Sequence, residues 1–380
     1  MSATITTPNT NQQVMTLSWL ANSAGINNWS QSDLQNAINS ITQTYWSDAD
    51  WDVVWGPVYY TPKDASTIGN TMFVAQQTGQ NGTWYVIAIA GTNPSSTFDW
   101  IREDAAIAPI PWAYYAQAGQ VTTGDNMGLT NLLDLTYPNI NNKSQQITLQ
   151  AFLADLPNKN STQLTITGHS LGGALSPLLT LALMDPNSSA SKVTINSTTI
   201  DISLPNWQQA TLLATAGPTP GDATFANYVK NFIDDNPSQL TAEFIWNGND
   251  IVPHAWNLAT LNELPGIYDF SLPSDSCLSA AISSAINAAT SYTYTQFNLT
   301  SQFSGKLQPY TNTENELIGW GPNTEYLAQA DYQHTEAYLD YFDCGNWLPT
   351  NDICNDPVKA EELYVAFSAL YKLNGGTGCI

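Results

Sequence analysis

The sequence predicts an α/β fold built on a mostly parallel, doubly wound sheet with helices on both faces. Segments rich in β-formers alternate with helical segments along the chain. The stretch Leu164–Leu175, LTITGHSLGGAL, changes from a strand to a helix around a serine that is flanked by glycines. The chain has 380 residues, of which 43% are hydrophobic, so it can bury the core of one large domain.

The first half of the chain supplies three groups of predicted elements. Residues 31–44 have apolar side chains at helical spacing and predict an amphipathic helix. The β-rich segments that begin at Thr71 and Thr83 are separated by TGQNG and predict a hairpin or meander, whose second strand ends at Gly91. Residues 144–156 predict a helix before the strand of residues 163–168.

The second half continues the alternation. Residues 174–184 are almost uniformly apolar and predict a buried helix. A strand from Ala210, a helix capped by Asp222 and a strand from Glu243 follow. Residues 1–380 are therefore predicted as a single domain. Its additions are an insertion at 266–323 and a helical closure at 345–380.

Charge and hydropathy argue against nucleic acid as a partner and against a transmembrane helix. The formal net charge is -23, from 32 acidic and 9 basic residues, and it would repel the phosphates of nucleic acid. No apolar run approaches the roughly 18 residues of a transmembrane helix. The first basic residue is Lys63, so the basic region of a secretory signal is missing. Scarce lysine and abundant Asn, Ser and Thr favour secretion, by another route or after removal of a signal, with a cytoplasmic location as the alternative.

The four cysteines all lie in the last third of the chain and allow three disulfide connectivities. We expect Cys344 to pair with Cys354, because the turn-rich loop between them would close easily. Four buried thiols are the alternative. A zinc site is not expected, since the chain has no Cys-x-x-Cys pair and only three histidines.

The strand-to-helix turn at Gly168-His169-Ser170-Leu171-Gly172 is typical of a nucleophilic serine raised above a parallel sheet. Such a serine needs a histidine base, and the base needs a carboxylate. His169 adjoins the serine and is interpreted as a packing residue. Asp250 directly follows a predicted strand. His254 comes too soon after it for another strand to intervene, whereas His334 is far enough away, so we predict the triad Ser170, Asp250 and His334.

A serine nucleophile also requires donors for the negative oxygen of its intermediate. The backbone N–H of Leu171, at the start of the helix after the nucleophile, is one predicted donor. Thr92, after an early strand, is the other, through its N–H and its hydroxyl. The alternative is that Gly91-Thr92 is an ordinary turn.

Four stretches occur in the order of one known family: AGTNPSSTFDW, TGHSLGGAL, TAGPTPGDATFA and NGNDIVPH, followed by a late histidine. The chain thus resembles the class 3, or fungal-lipase-like, α/β-hydrolases over about two thirds of its length. The resemblance implies the same triad, Thr92 as an oxyanion residue, esterase or lipase activity, no cofactor, and a lid. The chain departs from the family at Ala90, where arginine is usual, and at VTTGDNMGL, where the family has VHxGF after the lid.

Residues 93–118 are predicted to form this lid. Their second half is uncharged, and Ile107, Ile110, Trp112 and Tyr114 would cover the acyl pocket when closed and meet lipid when open. The alternative is permanent packing of these side chains in the core.

The leading hypothesis is a carboxylic ester hydrolase, a triacylglycerol lipase or esterase that works on lipid at a lipid–water interface. The same triad would also serve a phospholipid, a galactolipid or a feruloyl-type ester. A catalytically silent lipase-like module is the alternative from another class. Neither a cofactor nor a metal is predicted.

Overall fold

The structure is a computed structural model that describes residues 8–46, 50–62, 68–79, 82–92, 106–139, 142–268, 272–274, 276–297, 300–308 and 322–348. Contacts between Cα atoms divide the chain into two compact units. Unit 1 comprises residues 1–245 and 295–301, and unit 2 comprises residues 246–294 and 302–380.

The main sheet has seven strands in the order β1-β2-β3-β8-β11-β12-β13. Strands β1, β2 and β3 pair antiparallel, and β3, β8, β11 and β12 pair parallel. Short hairpins are formed by β4 with β5, β6 with β7, and β9 with β10. The strands are β1 Trp51–Tyr59, β2 Thr71–Gly79, β3 Gly82–Ile89, β4 Pro109–Pro111, β5 Gln120–Thr122, β6 Thr136–Asn139, β7 Asn142–Thr148, β8 Thr162–His169, β9 Lys192–Ile195, β10 Thr198–Asp201, β11 Gln209–Thr215, β12 Leu240–Asn247 and β13 Thr300–Phe303.

Several helices begin at the side-chain caps that their sequences supply. Asn9 and Ser30 form capping boxes at the first two helices, and Asp222 accepts a hydrogen bond from the Phe225 N–H at the sixth. The helices are α1 Thr10–Asn27, α2 Gln31–Tyr45, α3 Thr123–Asp134, α4 Leu149–Asp155, α5 Leu171–Met184, α6 Ala223–Asp234, α7 Leu258–Leu261, α8 Cys277–Ala289, α9 Pro322–His334 and α10 Glu336–Tyr341.

The core of unit 1 surrounds α5, all of whose residues are buried. Glycines let this helix lie unusually close to the sheet. A Cβ atom on Gly172 would lie 2.4 Å from the Ile89 carbonyl oxygen, and one on Gly173 would lie 2.1 Å from the Thr215 carbonyl oxygen. The Gly-x-Ser-x-Gly-Gly run is therefore required by the packing of α5 against β3 and β11 as well as by the turn itself.

Most of the predicted elements are confirmed, including the mostly parallel sheet, the β2–β3 hairpin, the buried helix α5 and the Asp222 cap. The helix predicted at 144–156 is wrong in its first part. Strand β7 extends to Thr148, where it pairs with Thr136 of β6, and only then does Thr148 cap α4. Strand β7 forms because it pairs with β6, which is four residues long and poor in apolar residues. Local periodicity therefore did not indicate this pairing.

Helix α1 was not predicted from the sequence. It buries polar Thr16 and Ser18 together with its apolar side chains, so the apolar face is not marked by a helical period. The helix predicted within the C-terminal closure lies outside the described residues. Helix α8 and strand β13 fall in the segment predicted as an insertion. The single-domain assignment stays a prediction.

The expected Cys344–Cys354 disulfide is wrong. Cys344 is a completely buried cysteine that takes no part in a disulfide, and its Sγ lies 3.6 Å from the Phe342 carbonyl oxygen. Cys277, the first residue of α8, is disulfide-bonded, which also excludes four free thiols. Enclosure of Cys344 by the core of unit 2 overrides the ease of closing a short loop. Cys354 and Cys379 lie outside the described residues.

Candidate active site

Ser170 occupies the sharp turn between β8 and α5. Its backbone has φ 62° and ψ -129°, a conformation that non-glycine residues rarely adopt. The turn is fixed from both sides, because the Ser170 N–H donates to the Thr215 carbonyl at 3.0 Å and the Gly173 N–H donates to the Ser170 carbonyl at 2.8 Å. Ser170 stays partly exposed while its neighbours are buried. This is the geometry of a nucleophile elbow.

His169 points away from this chemistry into the core of unit 1. It is 2% exposed, and its Nδ1 lies 3.0 Å from the Thr215 hydroxyl. Its ring lies 5.7 Å from that of Trp19, centroid to centroid. These contacts are those of a packing residue.

The loop after β3 lies against the elbow. A Cβ atom on Gly91 would come within 2.8 Å of the Ser170 Cβ, so Gly91 is packed directly on the serine. Thr92 follows and is partly exposed. Leu171 is the first residue of α5, where a backbone N–H has no acceptor within the helix. Gly91 and the first residue of α5 thus both adjoin Ser170. The oxyanion roles of Thr92 and Leu171 stay predictions.

Asp250 and His334 form a hydrogen-bonded pair in unit 2. Asp250 lies three residues beyond the end of β12 and is completely buried, and His334 is the last residue of α9 with a side chain 19% exposed. The distance between His334 Nδ1 and Asp250 Oδ2 is 2.8 Å. Strand β13 lies between them in the chain, as the strand-order reasoning requires. The bond to Nδ1 fixes the orientation of the imidazole ring.

Tyr338 is a member of this cluster that sequence reasoning missed. Its hydroxyl donates to the same Asp250 Oδ2 at 3.0 Å and accepts the Asn247 N–H at 2.9 Å. The ring is completely buried, and burial, followed by the charge of Asp250, raises the pKa of Tyr338 well above its usual value. The hydroxyl therefore stays a proton donor to the carboxylate. No local motif marks this tyrosine, because its partners are about 90 residues away.

Buried amides fix the end of β12 beside Asp250. The Asn247 Nδ2 donates to the Gln333 carbonyl at 2.9 Å and to Gln333 Oε1 at 2.7 Å. The Asn247 Oδ1 accepts the Gly305 N–H at 2.7 Å. Asn247 thereby holds the start of the Asp250 loop to α9, the helix that carries His334.

His254 has a different place. It is 2% exposed, and its Nδ1 lies 2.7 Å from the carbonyl oxygen of Asp250 and not from the carboxylate. Its Nε2 lies 3.4 Å from Glu263 Oε2. The side chain therefore shapes the backbone of the Asp250 loop.

The residues predicted for the lid are only partly described, since 93–105 lie outside the described residues. Strand β4 pairs with β5. Trp112 is completely buried and contacts the rings of Phe225 and Tyr114 at centroid distances of 5.7 and 5.8 Å, so it takes the core position of the alternative interpretation. Ile107 is 8% exposed, and Ile110 and Tyr114 are partly buried. The lid itself stays a prediction.

Two features are absent from the part of the chain that the structure describes. Within it, no group of three or more His, Cys, Asp or Glu side chains is arranged to hold a metal ion. Within the same residues, no helix is both long and apolar enough to cross a membrane.

Known proteins resemble this chain in sequence and in fold. Residues 86–259 match the profile of the class 3 lipase family. The crystal structure of M37 lipase is 27% identical, covers 93% of this chain and 99% of its own, and superposes with a TM-score of 0.70. No curated protein sequence gives a significant match.

Two fungal enzymes are more distant. A Rhizomucor miehei lipase–propeptide complex is 19% identical over 65% of this chain and 63% of its own, with a TM-score of 0.40. The Yarrowia lipolytica LIP2 lipase is 16% identical over 66% of this chain and 78% of its own, with a TM-score of 0.42.

The mostly parallel sheet and the elbow define an α/β-hydrolase. More narrowly, the chain is a hydrolase of the lipase type, and the similarity of residues 86–259 is to the class 3 lipase family.

Proposed function

We propose that the chain is a serine carboxylic ester hydrolase, a triacylglycerol lipase or esterase that forms an acyl-enzyme on Ser170. The observation that carries the proposal is the 2.8 Å bond between His334 Nδ1 and the buried carboxylate of Asp250. A partly exposed imidazole on a fully buried carboxylate is the arrangement that a serine nucleophile requires of its base.

In the proposed mechanism the Ser170 hydroxyl attacks the ester carbonyl while His334 Nε2 takes its proton. The negative oxygen of the tetrahedral intermediate accepts hydrogen bonds from the Leu171 N–H and from Thr92. Collapse expels the alcohol, which receives the proton from His334. Water then attacks the acyl-enzyme with His334 again as base, and the carboxylic acid leaves. Asp250 stabilises the imidazolium throughout, and no step needs a cofactor.

Lipid at a lipid–water interface is the proposed substrate, and the match of residues 86–259 to the class 3 lipase profile supports it. Phospholipid, galactolipid and feruloyl-type esters are alternatives on the same triad. Rates on matched triglyceride, phosphatidylcholine, galactolipid and methyl ferulate substrates would separate them. We further propose that the protein is secreted, because the disulfide of Cys277 is typical of oxidising compartments.

Hydrolysis of a soluble p-nitrophenyl ester tests the mechanism. Ser170→Ala and His334→Ala should each lower kcat by about a thousandfold or more, because the triad acts as a unit. His254→Ala is the matched control, since that imidazole bonds to the Asp250 backbone and not to its carboxylate. It should cost far less activity.

If Ser170→Ala hydrolyses the ester as fast as the wild type, the proposal of an acyl-enzyme on Ser170 is contradicted. A greater loss in His254→Ala than in His334→Ala would show that the base is assigned to the wrong histidine. A wild type that hydrolyses none of these esters would favour a silent binding module.

A further inference from the structure

Helix α1 contacts the nucleophile elbow and the loop beside it. Its Trp19 packs on the ring of His169, the residue before the serine. Its Asn22 accepts the Gly91 N–H at Oδ1, with a distance of 2.5 Å across 69 residues of sequence. The helix lies outside the segment that matches the family profile. Helix α1 therefore supplies contacts to the elbow and its neighbouring loop, through Trp19 and Asn22, that the matched segment alone does not contain.

The Asn22 bond completes the anchoring of the loop after β3. The Ala90 N–H donates to the Thr71 carbonyl at 2.9 Å, and the next N–H, that of Gly91, donates to Asn22. Gly91 itself has almost no room, because a Cβ atom there would lie 2.7 Å from the His169 carbonyl oxygen. Two successive peptide groups are thus fixed immediately before the one that carries the Thr92 N–H.

The acceptor is held on a rigid support. A Cβ atom on Gly25 would lie 2.8 Å from the Thr71 hydroxyl, so this glycine brings α1 close to the residue whose carbonyl accepts the Ala90 N–H. The first turn of α1 is closed by the Asn9 capping box. Helix α1 and the start of β2 therefore fix the loop from two directions.

We propose that Asn22 is a positioning residue for the oxyanion hole: it holds the Gly91–Thr92 peptide in the orientation that stabilises the negative oxygen. The proposal rests on the proposed function, because it presupposes an oxyanion formed by attack of Ser170. Donors that are oriented in advance stabilise the transition state without reorganisation, and small displacements of such groups lower the rate steeply.

The test uses Asn22→Ala and Asn22→Leu in the full chain with a soluble p-nitrophenyl ester. Both variants lack the acceptor but differ in volume, so loss of the hydrogen bond predicts the same effect for both. We expect kcat to fall about tenfold with KM unchanged, because the interaction acts only in the transition state. Asn27→Ala is the matched control: Asn27 is in the last turn of the same helix, and its amide bonds only locally, to the Ser23 carbonyl at 2.8 Å.

A second readout separates positioning from structural support. A trifluoromethyl ketone reacts with the serine hydroxyl to give an adduct, and this adduct carries an oxyanion. In the Asn22 variants its inhibition constant should therefore increase by the same factor by which kcat falls. Rates are expressed per active site, counted with a fluorophosphonate, so that any unfolded fraction does not contribute.

The outcomes of this experiment distinguish the two proposals. Activity that survives in Ser170→Ala would overturn the proposed function. Suppose that Ser170→Ala is inactive and that the Asn22 variants have the same kcat per active site as Asn27→Ala. This result would overturn only the proposed role of Asn22. So would a rise in KM without a change in kcat, or unchanged inhibition by the trifluoromethyl ketone.

Discussion

At the scale of single residues, one oxygen atom of the Asp250 carboxylate joins two side chains of the proposed active site. Asp250 Oδ2 accepts hydrogen bonds from His334 Nδ1 and from the Tyr338 hydroxyl, at 2.8 and 3.0 Å. Two donors on a completely buried carboxylate replace the water that burial removes. The Tyr338 hydroxyl also accepts the Asn247 N–H. Loss of the Tyr338 hydroxyl oxygen would therefore break two hydrogen bonds.

Tyr338→Phe should therefore lower both stability and activity. The buried Asn247 N–H and Asp250 Oδ2 would each lose a partner, which should reduce the free energy of unfolding by about 1–3 kcal/mol. We expect kcat to fall several-fold because the carboxylate that orients His334 is less constrained. Urea unfolding and ester hydrolysis measure the two effects.

Tyr332→Phe is the matched control, since its hydroxyl donates at 2.9 Å to Asp340 at an exposed position. Its effect on stability should stay within about 0.5 kcal/mol. Equal effects of the two substitutions would show that the Tyr338 hydroxyl has no special role.

At the scale of elements, α5 depends on glycine for its distance from the sheet. The Thr215 carbonyl would lie 2.1 Å from a Cβ atom on Gly173, and backbone atoms cannot move aside as a flexible side chain can. The same helix begins at Ser170. The distance of α5 from β11 and the position of Ser170, the proposed nucleophile, are consequently linked.

Gly173→Ala should destabilise the protein by about 1–3 kcal/mol or more, as overpacking does in tight cores. Activity should also fall because displacement of α5 moves Ser170 and the Leu171 N–H. Gly79→Ala is the control, because a Cβ atom there would meet nothing within 4 Å. Thermal unfolding of both variants checks the prediction, and a stable, fully active Gly173→Ala would contradict it.

Helix α9 carries a carboxylate, that of Asp331, one turn before His334. Burial, and next the charge of Glu336, raise the pKa of Asp331 to about 7, although His334 acts in the opposite direction. Its Oδ2 is buried with no hydrogen-bond partner among the described residues. The folded protein therefore keeps a proton that the unfolded chain releases near pH 4, and this group's contribution to stability falls as the pH rises from about 4 to about 7.

Asp331→Asn should remove that pH dependence. The variant should unfold with nearly the same free energy as the wild type at pH 4 and with roughly 1–3 kcal/mol more at pH 8, because the charged form is no longer buried. Urea unfolding at both pH values measures the difference. Asp52→Asn, at an exposed position on β1, should give no such trend, and a parallel trend in both variants would contradict the assignment.

At the scale of the whole molecule, the predicted interfacial behaviour depends on residues 93–118. The structure separates two kinds of position within the described part of this segment. Trp112 is completely buried, so its replacement would open a cavity and cost about 3–5 kcal/mol of stability. Ile110 in β4 is only partly buried, and it is the better probe of contact with lipid.

If residues 93–118 act as a lid, the rate per enzyme should rise sharply as a short-chain triglyceride passes its solubility limit, since aggregated lipid favours the open state. Ile110→Ser should flatten this rise and leave the hydrolysis of a soluble short ester nearly unchanged. Rates measured across the solubility limit provide the test. A smooth saturation curve in the wild type, unaltered by the substitution, would favour a permanently open esterase.

Local sequence was sufficient wherever a few neighbouring residues define the conformation. The turn at Ser170 follows from strand formers, glycines and an apolar helix within twelve residues, and Asp222 is recognised as a cap from its own helix. Chain order favours His334 over His254 as the base, because the spacing leaves room for a strand between Asp250 and His334, and this role stays a prediction. The turn and the cap could be predicted because their causes lie close together in the chain.

Tertiary structure alone decided the rest, and each case involves partners distant in sequence. Tyr338 lies 88 residues from Asp250, and Asn22 lies 69 residues from Gly91. Their hydroxyl and amide groups are common in any polar chain and acquire a role only when folding brings one partner to them. Likewise, burial of Trp112 and Cys344 is fixed by the side chains packed around them, so neither the lid alternative nor the absence of a Cys344 disulfide could be read from spacing.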